Sequence, residues 1–473
     1  VLGELRTLLA LPNVASDAAN IRRNADLLVR MLASRGVAAR LLEAEGSPPA
    51  VYGELKVPGA TRTVVLYAHY DGQPVTPADW ASEPWKPVLR DGPLGPGVRE
   101  LPWPKPGERT GGEWRVFARS ASDDKAPIVA MLAALDALKA AGVTPSVNVK
   151  FFLEGEEEAG SPHLRAMLEG HREALAADGW LFSDGPVHQS RRMQVLFGVR
   201  GTLGLEATVY GPSRALHSGH YGNWAPNPNV LLAHLLASLR DTEGRILVPG
   251  FSDDVRPLSA AERAALARLP PVDAALREEL ALGRTEGRGA PLAERIAEPA
   301  LNVRGLSGGA VGETAANVIP TRAQASIDFR LVPDQRPERV RQKVERFLAQ
   351  KGWHVVHAEP DAALLKAHPR VVRLEWEGGY PATRTRMDAP LSRAVARVAE
   401  QTLGAPPLLV PTLGGSLPMY LFAEVLGAPL VVLPVVNHDN AQHAANENLR
   451  LQNLWDAIEL YAGLLGRLGA EWR

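Results

Sequence analysis

The run TVVLYAHYD, Thr63–Asp71, is apolar and β-type for six residues and then ends in a histidine and a carboxylate two positions apart. It reads as a buried strand whose exit carries chemistry. Four other stretches have the same form. SASDDKAP spans Ser120–Pro127; EGEEEAGS, Glu154–Ser161, follows the strand-like VNVKFFL; FSDG, Phe182–Gly185, follows Gly179–Leu181; and QHAANE, Gln442–Glu447, lies just beyond the apolar APLVVLPVV. Each offers one residue able to bind a metal: His69, Asp123, Glu158, Asp184 and His443. In α/β proteins, loops at the carboxyl ends of parallel strands are where ligands gather, and all five residues are expected there.

Further out, residues 17–36 carry apolar side chains at helical spacing, with Asp17 as cap and Gly36 as stop. A second helix is expected from Pro127 to Ala141, with Asp123 and Asp124 at its positive end and Gly142 after it. Strands alternating with helices over the first 200 residues favour a parallel sheet. From Gly201 the pattern changes. TLGLEATVYG, QASIDFRLV and WHVVHAE alternate as strands, while Asn229–Arg240, 260–282 and 336–351 read as amphipathic helices. Helical periodicity returns at 391–403, and a last helix is expected over 449–468. Because His443 lies after this middle segment, convergence of the five ligands requires the segment to be an insertion. The expected fold class is therefore an α/β catalytic domain, residues 1–200 and 390–473, interrupted by an α+β domain, residues 201–389.

The 473 residues carry a formal net charge of −1 and are 45% hydrophobic, which gives no bulk attraction to nucleic acid or to an anionic membrane. The longest apolar stretch, Ala428–Val436, is far short of the roughly 18 residues that a membrane span needs. With no secretory pattern at the N-terminus, the expected location is the cytoplasm. The chain has no cysteine, so any metal must be held by histidine and carboxylate.

Two divalent ions about 3.5–4 Å apart need one bridging carboxylate and separate caps on each ion. Asp123 is assigned as the bridge, His69 and Asp184 to one ion, Glu158 and His443 to the other. Asp71 stands where it can accept the other ring N–H of His69. Glu157 is left free to act as general base. Consecutive glutamates more often mark a solvated face, but these follow directly on an apolar strand, and two dications would relieve their repulsion.

The segments HYD, SDDK, EGEEEAGS, SDG, RALHSGHYG (Arg214–Gly222), NVIPTRAQASIDFRLVPD (Asn317–Asp334), GGS (Gly414–Ser416) and QHAANE, in this order, resemble the signatures of the M20 metallopeptidase family, close to its carnosine-dipeptidase-like branch. The resemblance spans nearly the whole chain. It implies a two-metal catalytic domain, with Zn²⁺ as the expected ion and Mn²⁺ or Co²⁺ suited by the same ligands, and an inserted lid that also forms a homodimer. It implies that His217 reaches into the partner's site to stabilise an oxyanion, and that Arg330, Gly415 and Ser416 hold a substrate carboxylate, with Asn317 as a further contact. The activity it implies is hydrolysis of dipeptides or short peptides, releasing an amino acid, by a water bridging the two ions with Glu157 as base.

The chain departs from the family pattern in three places. Leu413 stands where dipeptidase relatives carry a glutamate able to pair with a free ammonium; Ala118, Ser120 and Ala126 replace usual glycines; and Pro93–Trp114 is an extended Pro/Gly-rich segment able to roof the cleft or to lie on the surface. Leu413 keeps a second activity in view, removal of an acyl or carbamoyl group from an N-capped amino acid. A non-catalytic metal-binding scaffold is a third reading, against which the complete ligand set and the free Glu157 both argue.

Overall fold

A computed structural model describes all residues, Val1–Arg473. At its centre is an eight-stranded sheet, in spatial order Ala38–Leu42, Ala50–Leu55, Asn148–Glu154, Thr63–His69, Gly179–Phe182, Leu430–Val432, Gln194–Leu196 and Leu408–Val410. The four strands from Asn148–Glu154 to Leu430–Val432 run parallel, as expected. The flanks depart from that expectation: Ala50–Leu55 pairs antiparallel with both of its neighbours, and Leu430–Val432 meets Gln194–Leu196 antiparallel.

The Thr63–His69 strand shows why its sequence is apolar without alternation. Val64, Leu66 and Ala68 face the larger core, under helices Leu2–Leu9, Ala18–Ala33, Lys125–Ala140, Pro390–Leu403 and Leu451–Glu471. Val65 and Tyr67 face a second core under Leu164–Gly170 and Tyr420–Leu426. A strand covered on both faces has no solvent side to mark with polar residues. The Asp17 side chain caps Ala18–Ala33 by accepting from the Asn20 N–H, and Gly36 sits at φ +80° just beyond the helix. Lys125–Ala140 begins two residues before the expected Pro127, at the Asp124 cap position.

Residues 201–380 build a separate five-stranded sheet, ordered Ala300–Ser307, Arg322–Leu331, Gly201–Tyr210, Val371–Tyr380 and His354–Val356, with its own apolar core. Helices Pro228–Leu239 and Pro337–Gln350 cover one face. The single helix expected over 260–282 is instead two, Ala260–Leu266 and Asp273–Glu279, because Pro270 and Pro271 cannot supply N–H donors to a helical ladder. The first of these packs on the Leu408–Val410 strand of the main sheet and is tied down by a buried Glu262–Arg384 ion pair at 3.0 Å.

The Pro93–Trp114 segment carries little regular structure of its own. Its Glu100–Leu101 strand joins a small antiparallel sheet with Val88–Arg90, Arg115–Phe117 and Asn448–Arg450, and Trp103 and Trp114 pack against the main core. No helix is long and apolar enough to cross a membrane.

Candidate metal centre

The parallel strands deliver His69, Glu157, Glu158 and Asp184 to one edge of the sheet, and the chain returns there with His443 after Leu430–Val432. Asp123 arrives differently from the expectation. Its preceding strand, Arg115–Phe117, belongs to the small antiparallel sheet, and Asp123 sits in the turn that opens helix Lys125–Ala140, across a cis peptide bond to Asp124.

All six side chains meet. His69 Nε2 lies 3.0 Å from Asp123 Oδ1, and His443 Nε2 lies 3.0 Å from Asp123 Oδ2 and 3.1 Å from Glu158 Oε2. Metal-binding atoms of His69, Asp123 and Glu158 fall within 4.8 Å of one another, as do those of His69, Glu157 and Asp184. Asp123 thus lies between His69 on one side and His443 with Glu158 on the other, and His69 is common to both groups. Glu157 stands with His69 and Asp184 rather than apart from them.

The donors fit divalent cations. Asp123 Oδ2 is buried and makes no hydrogen bond, although the His443 nitrogen is at hydrogen-bonding distance. Burial raises the Glu157 carboxyl well above the usual range, with the charges of Asp184, Glu154 and Glu158 adding to it. Burial and the Asp123 charge push Asp184 up to about 7. The His443 and His69 imidazoles beside it hold Asp123 low against the same burial, and Asp123 with Glu158 raises His443 to about 10. An ion-free cluster therefore retains protons that bound dications would displace.

Asp71 stands beside the His69 ring, as expected, and has further partners. The Nδ1 of His69 is 3.2 Å from the Asp71 backbone carbonyl and 3.4 Å from its carboxylate. The carboxylate also accepts the backbone N–H groups of Glu157, at 3.1 Å, and Glu158, at 3.0 Å. It holds the turn that aims both glutamates. Gln73 adds a bond to Glu158 Oε2 at 2.7 Å.

Glu447 is the residue that reading the sequence missed. Fully buried, it accepts from Arg119 Nη1, from the N–H groups of Ser120, Ser122 and Asp123 and from the Ser122 hydroxyl, at 2.8–2.9 Å. One carboxylate thus shapes the whole Asp123 loop from the same stretch that supplies His443. Its only sequence signal was its place at the end of QHAANE. Ser120, where a glycine is usual, sits at φ +59° with its hydroxyl accepting from Asn13, so the backbone conformation that favours glycine is kept.

Of the residues expected to touch substrate, Arg330 and Ser416 come together: Arg330 Nη1 donates to Ser416 Oγ at 2.9 Å while its Nε pairs with Asp328 at 3.1 Å. The Gly415 carbonyl accepts from the Arg200 N–H. Tyr380, stacked on Tyr420 with ring centroids 5.5 Å apart, lies near enough to both Glu157 and Arg330 for their charges to act on its phenol. His217 and Asn317 are not brought to the cluster. They neighbour one another at the Leu216–His217 and Val318–Ile319 strand pair, where His217 is exposed and its ring accepts only from the Gly219 N–H.

Residues 65–467 match the peptidase family M20/M25/M40. The Cys-Gly metallodipeptidase dug1 of Schizosaccharomyces pombe is 26% identical over 431 residues, 89% of this chain and 83% of that protein. The Beta-Ala-His dipeptidase of Homo sapiens is 27% identical over 424 residues, 88% and 76% of the two chains. Among solved structures, the M20 family metallo-carboxypeptidase Sso-CP2 from Sulfolobus solfataricus superposes with a TM-score of 0.79 at 28% identity over 99% of both chains.

Proposed function

This chain belongs to peptidase family M20/M25/M40, and on that premise we propose that it is a metal-dependent dipeptidase that releases the C-terminal amino acid from dipeptides or short peptides. The observation that carries the reading is the His/carboxylate cluster suited to two divalent ions, together with the Arg330–Ser416 pair suited to a terminal carboxylate; the charges of Glu157 and of Arg330 both act on Tyr380. The dipeptidase names of the relatives support it.

His69, Asp123 and Asp184 would hold one ion and Asp123, Glu158 and His443 the other; Zn²⁺ is the expected ion, and Mn²⁺ or Co²⁺ suits the same donors. Bound there, the ions would supply Lewis acidity to the scissile carbonyl and lower the pKa of the attacking water. Glu157 takes the proton from that water and delivers it to the leaving amine, a transfer for which a raised carboxyl pKa is suited. Arg330 and Ser416 grip the substrate's carboxylate and so set which bond meets Glu157.

The role of His217 requires a second subunit. The lid, residues 201–389, supports one: it presents the edge strand Ala300–Ser307 and exposed Val230, Leu306, Val311 and Val318. A homodimer through this face would cover them and offer His217 to the partner's cleft, where a ring N–H donates to the developing oxyanion.

Leu413 supplies no charge for a substrate ammonium. Matched dipeptides with free and acetylated N-termini, assayed with Zn²⁺- or Mn²⁺-loaded protein, test the reading. Faster turnover of the free-amine series supports a dipeptidase, whereas faster turnover of the capped series replaces it with an N-acyl-amino-acid hydrolase.

A further inference from the structure

Four arginines are buried in this protein, and three have a carboxylate partner: Arg115 with Asp439 at 2.7 Å, Arg119 with Glu447 at 2.8 Å and Arg384 with Glu262 at 3.0 Å. The fourth, Arg200, is only 7% exposed and forms no ion pair. Its Nη2 donates to the Glu298 backbone carbonyl at 2.6 Å, and its Nε, buried, has no partner. A guanidinium out of water without an anion is costly, and the fold has not removed it.

Its surroundings suggest what the missing anion is. The Arg200 N–H donates to the Gly415 carbonyl at 3.1 Å, and the adjacent Val199 bridges to Leu413, so Arg200 is stitched to the loop that carries Ser416. Ile296 closes over the same loop: a Cβ on Gly414 would lie 3.3 Å from it. Arg330 and Arg295 are close enough for their charges to oppose that of Arg200, and the carboxylates beside them are already engaged, Asp328 by the Nε of Arg330 and Glu298 by Arg295. Three guanidiniums and two carboxylates leave this cluster one negative charge short.

We propose that Arg200 is a second anion-binding residue of the substrate pocket, completing with Arg330 and Ser416 a clamp for one terminal carboxylate. This rests on the reading that Arg330 and Ser416 hold that carboxylate. With Asp328 balancing Arg330, Arg200 supplies the charge that makes a free C-terminus bind and an amidated one fail. It is a specificity-determining residue, acting on the substrate's end rather than on the scissile bond.

The test compares Ala-Leu with Ala-Leu-amide as substrates, and L-leucine with L-leucinamide as product inhibitors, in the native protein and in Arg200→Gln and Arg200→Lys. Gln can keep the bond to the Glu298 carbonyl without the charge, and Lys keeps the charge without the planar fork. The proposal expects the acid-to-amide ratio, in kcat/KM and in inhibition, to fall roughly tenfold or more in Arg200→Gln, mostly through KM, and to recover in part in Arg200→Lys. A purely structural role would weaken acid and amide alike and leave the ratio unchanged, which overturns the proposal; thermal melts of both variants identify any loss of fold. Failure of the native protein to cleave any dipeptide would instead count against the dipeptidase reading, and the inhibition ratios would still judge Arg200.

Discussion

At the scale of single residues, the site divides into groups that meet the reaction and groups that hold them. On the proposed reading Glu157 is in the first class. Replacing it by Gln should lower kcat by about 10²–10⁴ while leaving metal content, measured by elemental analysis, unchanged. Turnover within tenfold of the native value would remove Glu157 as the base. Glu447 is in the second class. Glu447→Ala leaves Arg119 buried without its anion and frees three backbone N–H groups, so a loss of roughly 3–5 kcal/mol in urea unfolding is expected, with weaker metal binding. Four of the five candidate ligands were legible because each follows an apolar run of the main sheet, whereas Glu447 and Asp71 show their backbone partners only in three dimensions. Their bonds go to backbone N–H groups of loops far away in the chain, which no residue type announces.

At the scale of elements, local chemistry set the boundaries well wherever a cap or a breaker was present. The Asp17 side chain satisfies an N–H at the start of helix Ala18–Ala33. Asp17→Ala should therefore cost about 1 kcal/mol in equilibrium unfolding without changing turnover of a dipeptide. No loss of stability would mean that tertiary packing alone holds this helix end. The split of the expected 260–282 helix was also written locally, in Pro270 and Pro271. Strand Val371–Tyr380 was missed for a different reason. Its second half is exposed and contains two consecutive glycines, so it lacks the alternation of a half-buried strand, and pairing with Gly201–Tyr210 holds it in place.

At the scale of the whole molecule, two expectations concern assembly and charge. Val311 is 84% and Leu306 65% exposed within residues 201–389, the proposed lid. If the lid pairs with a second copy, Val311→Asp with Leu306→Asp should yield monomers in sedimentation and lose most activity, because His217 would no longer reach a partner's site. An unchanged mass would place any dimer elsewhere. The charge expectation belongs to the metal-free protein. Asp184 rises from 3.8 to about 7 on folding and His443 from 6.5 to about 10, so between those values the folded state holds more protons than the unfolded chain. Stability without metal should therefore fall as pH rises from about 5 to 8. Metal binding displaces the same protons, so the rise in Tm on adding Zn²⁺ or Mn²⁺ should be larger at pH 8 than at pH 5.5. An increment independent of pH would mean that these groups are not the ligands.

The sequence by itself determined the α/β class and offered the candidate ligand set and the expectation of a discontinuous core, since apolar periodicity and the order of the loops are local properties that survive in one dimension. Tertiary structure alone decided the antiparallel flanks of the sheet, the turn that carries Asp123 and the carboxylates that shape the ligand loops. It also decided that one buried arginine lacks a counter-ion beside Arg330. These depend on which distant segments meet, and so on burial and pairing that no single stretch of chain contains.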